Sequence, residues 1–172
     1  MKILETRRLI LRTLRPDDLD DLFALYRDPE IRRYFPDGTL TREQTREELD
    51  WFVGGGDPDH PRLGLWATLD KETGRFIGRC GLIPWGIDGR DEVEVAYLLA
   101  KDHWRQGLGG EITQALLHYG FKELGLSRLI ALIDPENQAS IRTAEKAGLR
   151  FERRIEHEGM RCSLYAIATP VR

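Results

Sequence analysis

Residues Asp102 to Gln114 read D-H-W-R-Q-G-L-G-G-E-I-T-Q, with an apolar strand-like run before them and an amphipathic helical pattern after. Gly107, Gly109 and Gly110 therefore fall where a strand passes into a helix. Backbone without side chains can bend there so that several N–H groups converge on one point, backed by the positive end of the helix. Such a cradle holds an anion, most often phosphate. A phosphate-cleaving P-loop needs Lys and Ser/Thr at the helix start, but Glu111 and Ile112 follow Gly110. A dinucleotide fingerprint needs a third glycine where Ile112 stands. What survives is a cradle without a metal-handling lysine, suited to holding a pyrophosphate rather than cleaving it. On the glycines alone, a tight turn with no ligand fits as well.

The elements that must position this turn follow from patterning. Arg8 to Leu14 alternates charged and apolar residues, a strand. Pro16 opens a helix with Asp17 and Asp18 in its first turn and Leu19, Leu22, Phe23 and Tyr26 on one face. Thr41 and Gln44 have capping-box spacing for a second helix running to Phe52 and stopping at Gly54. Leu63–Leu69 and Arg75–Ile83 form an antiparallel pair, and Glu92–Leu99 is the strand feeding the glycine turn. The third helix follows Gly110 and ends near Gly125. Arg128–Ile133 is a nearly continuous apolar run, expected of a central strand covered on both faces. A short helix from Asn137 to Gly148 and a hairpin around Gly159 complete the chain. The strand–helix–strand unit across 92–133 predicts a parallel, right-handed crossover, with the cradle at the carboxyl end of its first strand.

Length and composition place these elements in one domain, residues 1–172. A chain of 172 residues buries about 70% of its unfolded surface. A net charge of −3 argues against a general nucleic-acid or membrane-surface partner. Cys80 and Cys162 make no metal-ligand pattern, and His60, His118 and His157 have no ligand spacing, so no metal is expected. The start of the chain has no apolar stretch of signal or membrane length, which predicts a cytoplasmic location.

Glu94-Val-Ala-Tyr97-Leu-Leu99, the Trp104-Arg-Gln-Gly107-Leu-Gly109 turn, and Asn137-Gln-Ala-Ser140 leading to Glu145-Lys146-Ala-Gly148 together resemble the GNAT N-acetyltransferases. Glu5-Thr-Arg-Arg-Leu-Ile-Leu-Arg12 is similar to the branch that acetylates the amino-terminal alanine or serine of ribosomal proteins. Trp104 departs from the Gln or Arg usual at that position across the family, and agrees with this branch. The resemblance implies a mixed, mostly antiparallel twisted sheet of about seven strands with a central parallel pair, flanked by about four helices. It also implies acetyl-CoA as co-substrate. Its pyrophosphate would lie on Trp104, Arg105, Gln106, Gly107, Leu108, Gly109 and Gly110, and its pantetheine arm along Tyr97, Leu98 and Leu99 with Asn137 beside it. The strand after the crossover is expected to splay from Glu92–Leu99, leaving a gap for the thioester.

An amine attacks a thioester only as the free base, so a base is required. Glu94, flanked by Val93, Val95 and Ala96, is the candidate, directly or through a water. Its alternation with apolar residues also suits the ordinary solvent-facing side of a half-exposed strand. Ser140 matches the family position proposed to meet the departing sulfur, with Tyr165 as the alternative. Asn137 and Ser140 also suit helix caps, and the two roles are compatible. His103 reads as a surface residue, and Trp85 as packing or as cleft lining. The acceptor side carries Asp37, Arg42, Arg46, Glu156, His157 and Glu158, an acidic bias toward a cationic amine that Arg153, Arg154 and Arg161 blur. The expected function is transfer of acetyl from acetyl-CoA to a primary amine, either a protein N-terminal α-amine or a small cationic amine, by a monomer or homodimer. The alternative is a catalytically silent acyl-CoA-binding module.

Overall fold

A computed structural model describes residues 1–169. In chain order the strands and helices are β1 (Lys2–Glu5), β2 (Leu9–Thr13), α1 (Leu19–Tyr26), α2 (Arg42–Val53), β3 (Gly64–Asp70), β4 (Phe76–Ile87), β5 (Arg90–Leu99), α3 (Leu108–His118), β6 (Arg128–Ile133), α4 (Gln138–Lys146), β7 (Arg150–His157) and β8 (Met160–Ala168). The strands form one sheet in the order β1-β2-β3-β4-β5-β6-β8-β7, antiparallel throughout except for β5 beside β6. The expected architecture therefore holds, with eight strands rather than about seven. The extra one is β1, whose four residues are too few to show a period. It is recognisable only through its partner, with Leu4 opposite Leu11 and Lys2 opposite Arg12.

Three other boundaries differ from expectation. Pro16–Asp18 is a single 3-10 turn, and the α-helix starts only at Leu19. Asp18 accounts for the delay, because its carboxylate accepts the Arg15 backbone N–H at 2.7 Å and a bidentate pair from Arg12 at 2.8 Å. The third helix begins at Leu108, so Gly109 and Gly110 lie in its first turn and only Gly107 stands outside it. β4 continues past Ile83 to Ile87, which carries Trp85 alongside β5.

Both faces of the sheet are covered. α1 and α2 close one face over Leu65 and Ala67, with Leu22, Tyr26 and Leu49 fully buried between them. The Thr41–Gln44 capping box fixes the start of α2, each side chain bonding the other's backbone N–H at 3.1 and 2.8 Å. α3 and α4 close the opposite face over Leu82, Val95, Leu129 and Leu149. Every antiparallel pair is a continuous ladder or nearly so. The parallel pair β5–β6 is joined in register at one position only, Glu94 opposite Ile130.

On the closed side of that point an ion-pair clamp ties the two strands. Arg128 Nε donates to both oxygens of the buried Glu92, at 3.0 and 3.2 Å, and its two terminal nitrogens bond Glu152 at 2.8 and 3.1 Å. Removing one member of a buried pair leaves an uncompensated charge. We expect Arg128→Met to lower unfolding stability by about 2–4 kcal/mol, read from the urea midpoint. Changing Glu92 to Gln in the same chain should recover part of that loss.

Candidate active site

Beyond Glu94 and Ile130 the two central strands diverge, and a cleft of about 2030 Å³ opens through the sheet. Pockets for a single small ligand span roughly 300–1,000 Å³, so this cleft has room for two. One side is lined by Val95, Ala96, Tyr97, Leu98 and Leu99, the other by Ala131 to Ile133, Asn137 and Ser140. Diverging strands leave backbone N–H and C=O groups without a ladder partner, and such groups demand one.

The glycine turn sits at the mouth of the cleft, lined by Trp104, Arg105, Gly107, Leu108, Gly109 and Gly110. Arg105 and Gly107 have positive φ, 60° and 77°, and Gly107 caps α3 with no side chain bonded to the first-turn amides. Those amides are therefore free donors at a positive helix end. Gly109 is required for another reason. A Cβ there would stand 3.1 Å from the Tyr97 ring, so the missing side chain lets α3 lie against β5.

Several neighbours hold the turn in place. Trp104 Nε1 donates to the Leu99 carbonyl at 2.9 Å, which fastens the turn to the end of β5. Glu111 accepts from Thr6 Oγ1, Arg8 N and Arg8 Nε at 2.8, 3.0 and 2.7 Å, while Arg8 Nη1 reaches the Gln106 carbonyl at 2.9 Å. Burial alone would raise the Glu111 carboxyl. The bonds from Thr6 and Arg8 outweigh that and hold it below its ordinary value. The Glu5–Arg12 segment is thus the buttress of the cradle, a role its sequence gave no sign of. Gln106 itself turns away from the cleft, its amide bonding the Asp102 carbonyl.

Glu94 stands at the apex where the strands part. Burial pushes its carboxyl up to about 7, against the lowering influence of Trp85 and Arg79. Trp85 Nε1 donates to Oε2 at 2.6 Å and leaves Oε1 without a protein partner. Trp85 is therefore a partner of Glu94 rather than packing alone, and the His157 ring meets it edge-on at 4.5 Å.

Ser140 and Asn137 occupy the first turn and N-cap of α4. The Ser140 backbone N–H donates to Asn137 Oδ1 at 3.2 Å, which leaves the Asn137 amide nitrogen and the Ser140 hydroxyl open to the cleft. Tyr165 is not brought here. It is buried against Leu149 and Ala144, edge-on to Phe151, and does not line the cleft. His103, expected on the surface, is half-buried at the cleft wall with Nδ1 sealed from solvent.

Of the acceptor-side residues, Asp37, His157 and Glu158 line the cleft, while Arg42 pairs with Asp20 outside it. Residues that sequence reasoning passed over are more prominent. Arg32 and Arg79, 4% and 5% exposed, lie among Tyr26, Phe35 and Glu48 at this end. A signal for Arg79 was present, since it is a lone charge inside the apolar run of β4.

The fold has counterparts elsewhere. The Acetyltransferase (GNAT) domain model matches residues 8–150. The uncharacterized protein YkkB of Bacillus subtilis (strain 168) is 38% identical over 153 residues, covering 88% of this chain and 87% of its own length. The crystal structure of a GNAT-family acetyltransferase from Bacillus anthracis superposes with a TM-score of 0.82 at 26% identity, covering 98% of each chain. RimL, a ribosomal L7/L12 α-N-protein acetyltransferase solved with coenzyme A, shares the fold at 17% identity and a TM-score of 0.78, again over 98% of each chain. No helix among the described residues is long and apolar enough to cross a membrane. The chain belongs to the GNAT acetyltransferases and is an acetyl-CoA-dependent acetyltransferase.

Proposed function

We propose that this chain moves the acetyl group of acetyl-CoA onto the amine of a protein N-terminus or of a small molecule, with Glu94 as general base. The observation that carries this reading is the single β5–β6 pairing at Glu94, with the amide cradle at the mouth of the resulting cleft and a raised carboxyl at its apex. The free first-turn amides of α3 suit a pyrophosphate. The unpaired edge of Val95–Leu99 suits an extended arm bonding as an added strand, with the Asn137 amide beside it.

The chemistry then assigns roles along the cleft. Glu94 Oε1 takes a proton from the acceptor's ammonium and the free amine then attacks the acetyl carbonyl carbon, while the Trp85 N–H fixes the carboxylate's orientation. A backbone N–H between Val95 and Tyr97 meets the oxygen on which charge develops. As the new nitrogen–carbon bond forms, the bond from carbonyl carbon to sulfur breaks; the nitrogen's second proton passes to the departing thiolate, to which the Ser140 hydroxyl donates a hydrogen bond. Tyr165, the alternative for that task, does not line the cleft.

Base strength bears on the acceptor. Against a carboxyl at about 7, deprotonating an α-ammonium of pKa about 8 costs roughly 1 kcal/mol, and a lysine of about 10.4 roughly 5 kcal/mol. An α-amine is the better match.

Glu94→Gln should lower acetyl-CoA-dependent thiol release by about 10²–10⁴-fold while acetyl-CoA still binds in a calorimeter. A silent acyl-CoA-binding module would instead show no turnover in the native protein. In the native enzyme kcat/KM should rise with pH through about 7, as the Glu94 carboxyl loses its proton. Trp85→Phe removes a bond that favours the charged carboxylate, so that inflection should move to higher pH. Gly109→Val should displace the Tyr97 ring and weaken acetyl-CoA binding by roughly tenfold or more, whereas an unchanged affinity in a folded variant would remove α3 from the coenzyme site.

A further inference from the structure

The geometry points to a carboxylate-binding subsite at Arg79, so that the acceptor is an amine carrying a carboxylate a few bonds from its nitrogen. This rests on the reading above only in placing the amine at Glu94.

Arg79 is in the middle of β4 and is 5% exposed. Its one hydrogen bond runs from Nε to the Tyr26 hydroxyl at 2.9 Å, and that hydroxyl donates in turn to Glu48 at 2.5 Å. The phenol thus holds Glu48 away from the guanidinium. Among the described residues no carboxylate makes an ion pair with Arg79, although a guanidinium cannot shed its charge in a protein. Its two terminal nitrogens have no partner among the described residues, and neither is sealed from solvent. They open onto the cleft that Arg79 lines.

A second buried cation increases the demand for an anion. Arg32 is 4% exposed and stacks on Phe35 at 3.9 Å from the ring centroid, and on Tyr26 at 5.1 Å. Arg79 lies over the same two rings, at 5.8 and 5.6 Å. Two guanidinium groups therefore share one pair of aromatic rings and repel each other. Arg32 is relieved by Asp37 and by the Gly38 carbonyl. Arg79 is met by the Tyr26 hydroxyl and by the fields of Glu48 and Glu94 but by no ion pair among the described residues, and a buried charge lacking a direct partner is costly. A planar carboxylate matches the two free nitrogens of a guanidinium fork and supplies that partner.

Register places this fork relative to the base. Arg79 lies opposite Leu98, and Glu94 opposite Ile83, on the same face of the sheet. Four residues at about 3.3 Å each put the two backbone positions roughly 13 Å apart along the strands. Both side chains enter the same cleft, and each charge is felt by the other. A ligand bridging them needs its amine and its anion closer than that span. Two sources of carboxylate meet the requirement: the carboxyl of a free amino acid, or the acidic side chain of a peptide's first residue.

The test compares amines matched except for this charge, with thiol release from acetyl-CoA as the readout and each rate referred to the fraction of the amine present as free base. One arm pairs β-alanine and glycine with their amides, and the other pairs the peptides Asp-Ala-amide and Asn-Ala-amide. We expect the carboxylate member of at least one arm to be favoured in kcat/KM by roughly tenfold or more, as for charge-assisted bonds. Arg79→Gln should collapse that ratio toward one, and Arg79→Lys, which keeps the charge and loses the fork, should keep part of it. The arm that responds identifies the source. Equal use of acid and amide by the native protein in both arms overturns the subsite while leaving acetyl transfer intact, whatever the variants do. If no amine releases thiol, acetyl transfer to these acceptors fails separately. Calorimetric titration of the same pairs onto the coenzyme A-loaded protein then decides the subsite, and equal affinities for acid and amide overturn it.

Discussion

The site depends on one local constraint: β5 and β6 are pinned together at Glu94 and Ile130 and nowhere beyond. A sheet gains by pairing every backbone group, so a parting in its centre persists only if something holds the strands together and something else holds them apart. The clamp from Arg128 to Glu92 does the first, two residues before the apex on β5. The second is done from opposite ends. Trp104 and the Leu99 carbonyl tie the far end of β5 to the glycine turn, while antiparallel pairing with β8 along its whole length holds β6. The gap is thus a property of the scaffold, set by contacts among the chain's own residues. A pre-opened cleft asks less ordering of its ligands.

The N-terminal segment belongs to the same construction. Thr6 and Arg8 do not line the cleft, though the Arg8 guanidinium reaches the glycine turn beside Gly107, and their bonds to Glu111 and the Gln106 carbonyl fix where α3 starts. Glu111 lies in the first turn of that helix, where a negative side chain suits the dipole but also competes with an incoming anion. Satisfying it with Arg8 and Thr6 turns it away, and the free amides are left for the ligand. This explains why an acidic residue is tolerated immediately after Gly110.

Much of this was legible in the chain and some was not, for definable reasons. The glycine turn could be read because three glycines at a strand–helix junction mark a sharp change of backbone direction, and Thr41 and Gln44 because a capping box is local. Leu108 as the helix start was hidden, since glycine is a poor helix former and its presence in a first turn runs against propensity. β1 was hidden by its length. The roles of Trp85, Arg79 and Arg8 were hidden because each depends on a residue 9, 53 or 103 positions away, and only the register of the sheet brings those together. The acidic bias read for the acceptor side came from counting side chains without their partners. Asp37 neutralises Arg32, Glu158 still lines the cleft, and the guanidinium of Arg79 is a buried cation there with no ion-pair partner among the described residues.

That remaining charge also bears on the base. Burial alone would drive the Glu94 carboxyl far upward, and a carboxyl protonated at all working pH values accepts nothing. The Trp85 N–H and the positive field of Arg79 both oppose this, and the balance settles at about 7. An anion seated on Arg79 would partly cancel that field and push the Glu94 carboxyl higher, making it a stronger base when the acceptor is in place. The same pair of residues would then select the acceptor by its charge and adjust the base to it. A merely structural guanidinium in the core of α1, α2 and β4 gives no reason for such a coupling.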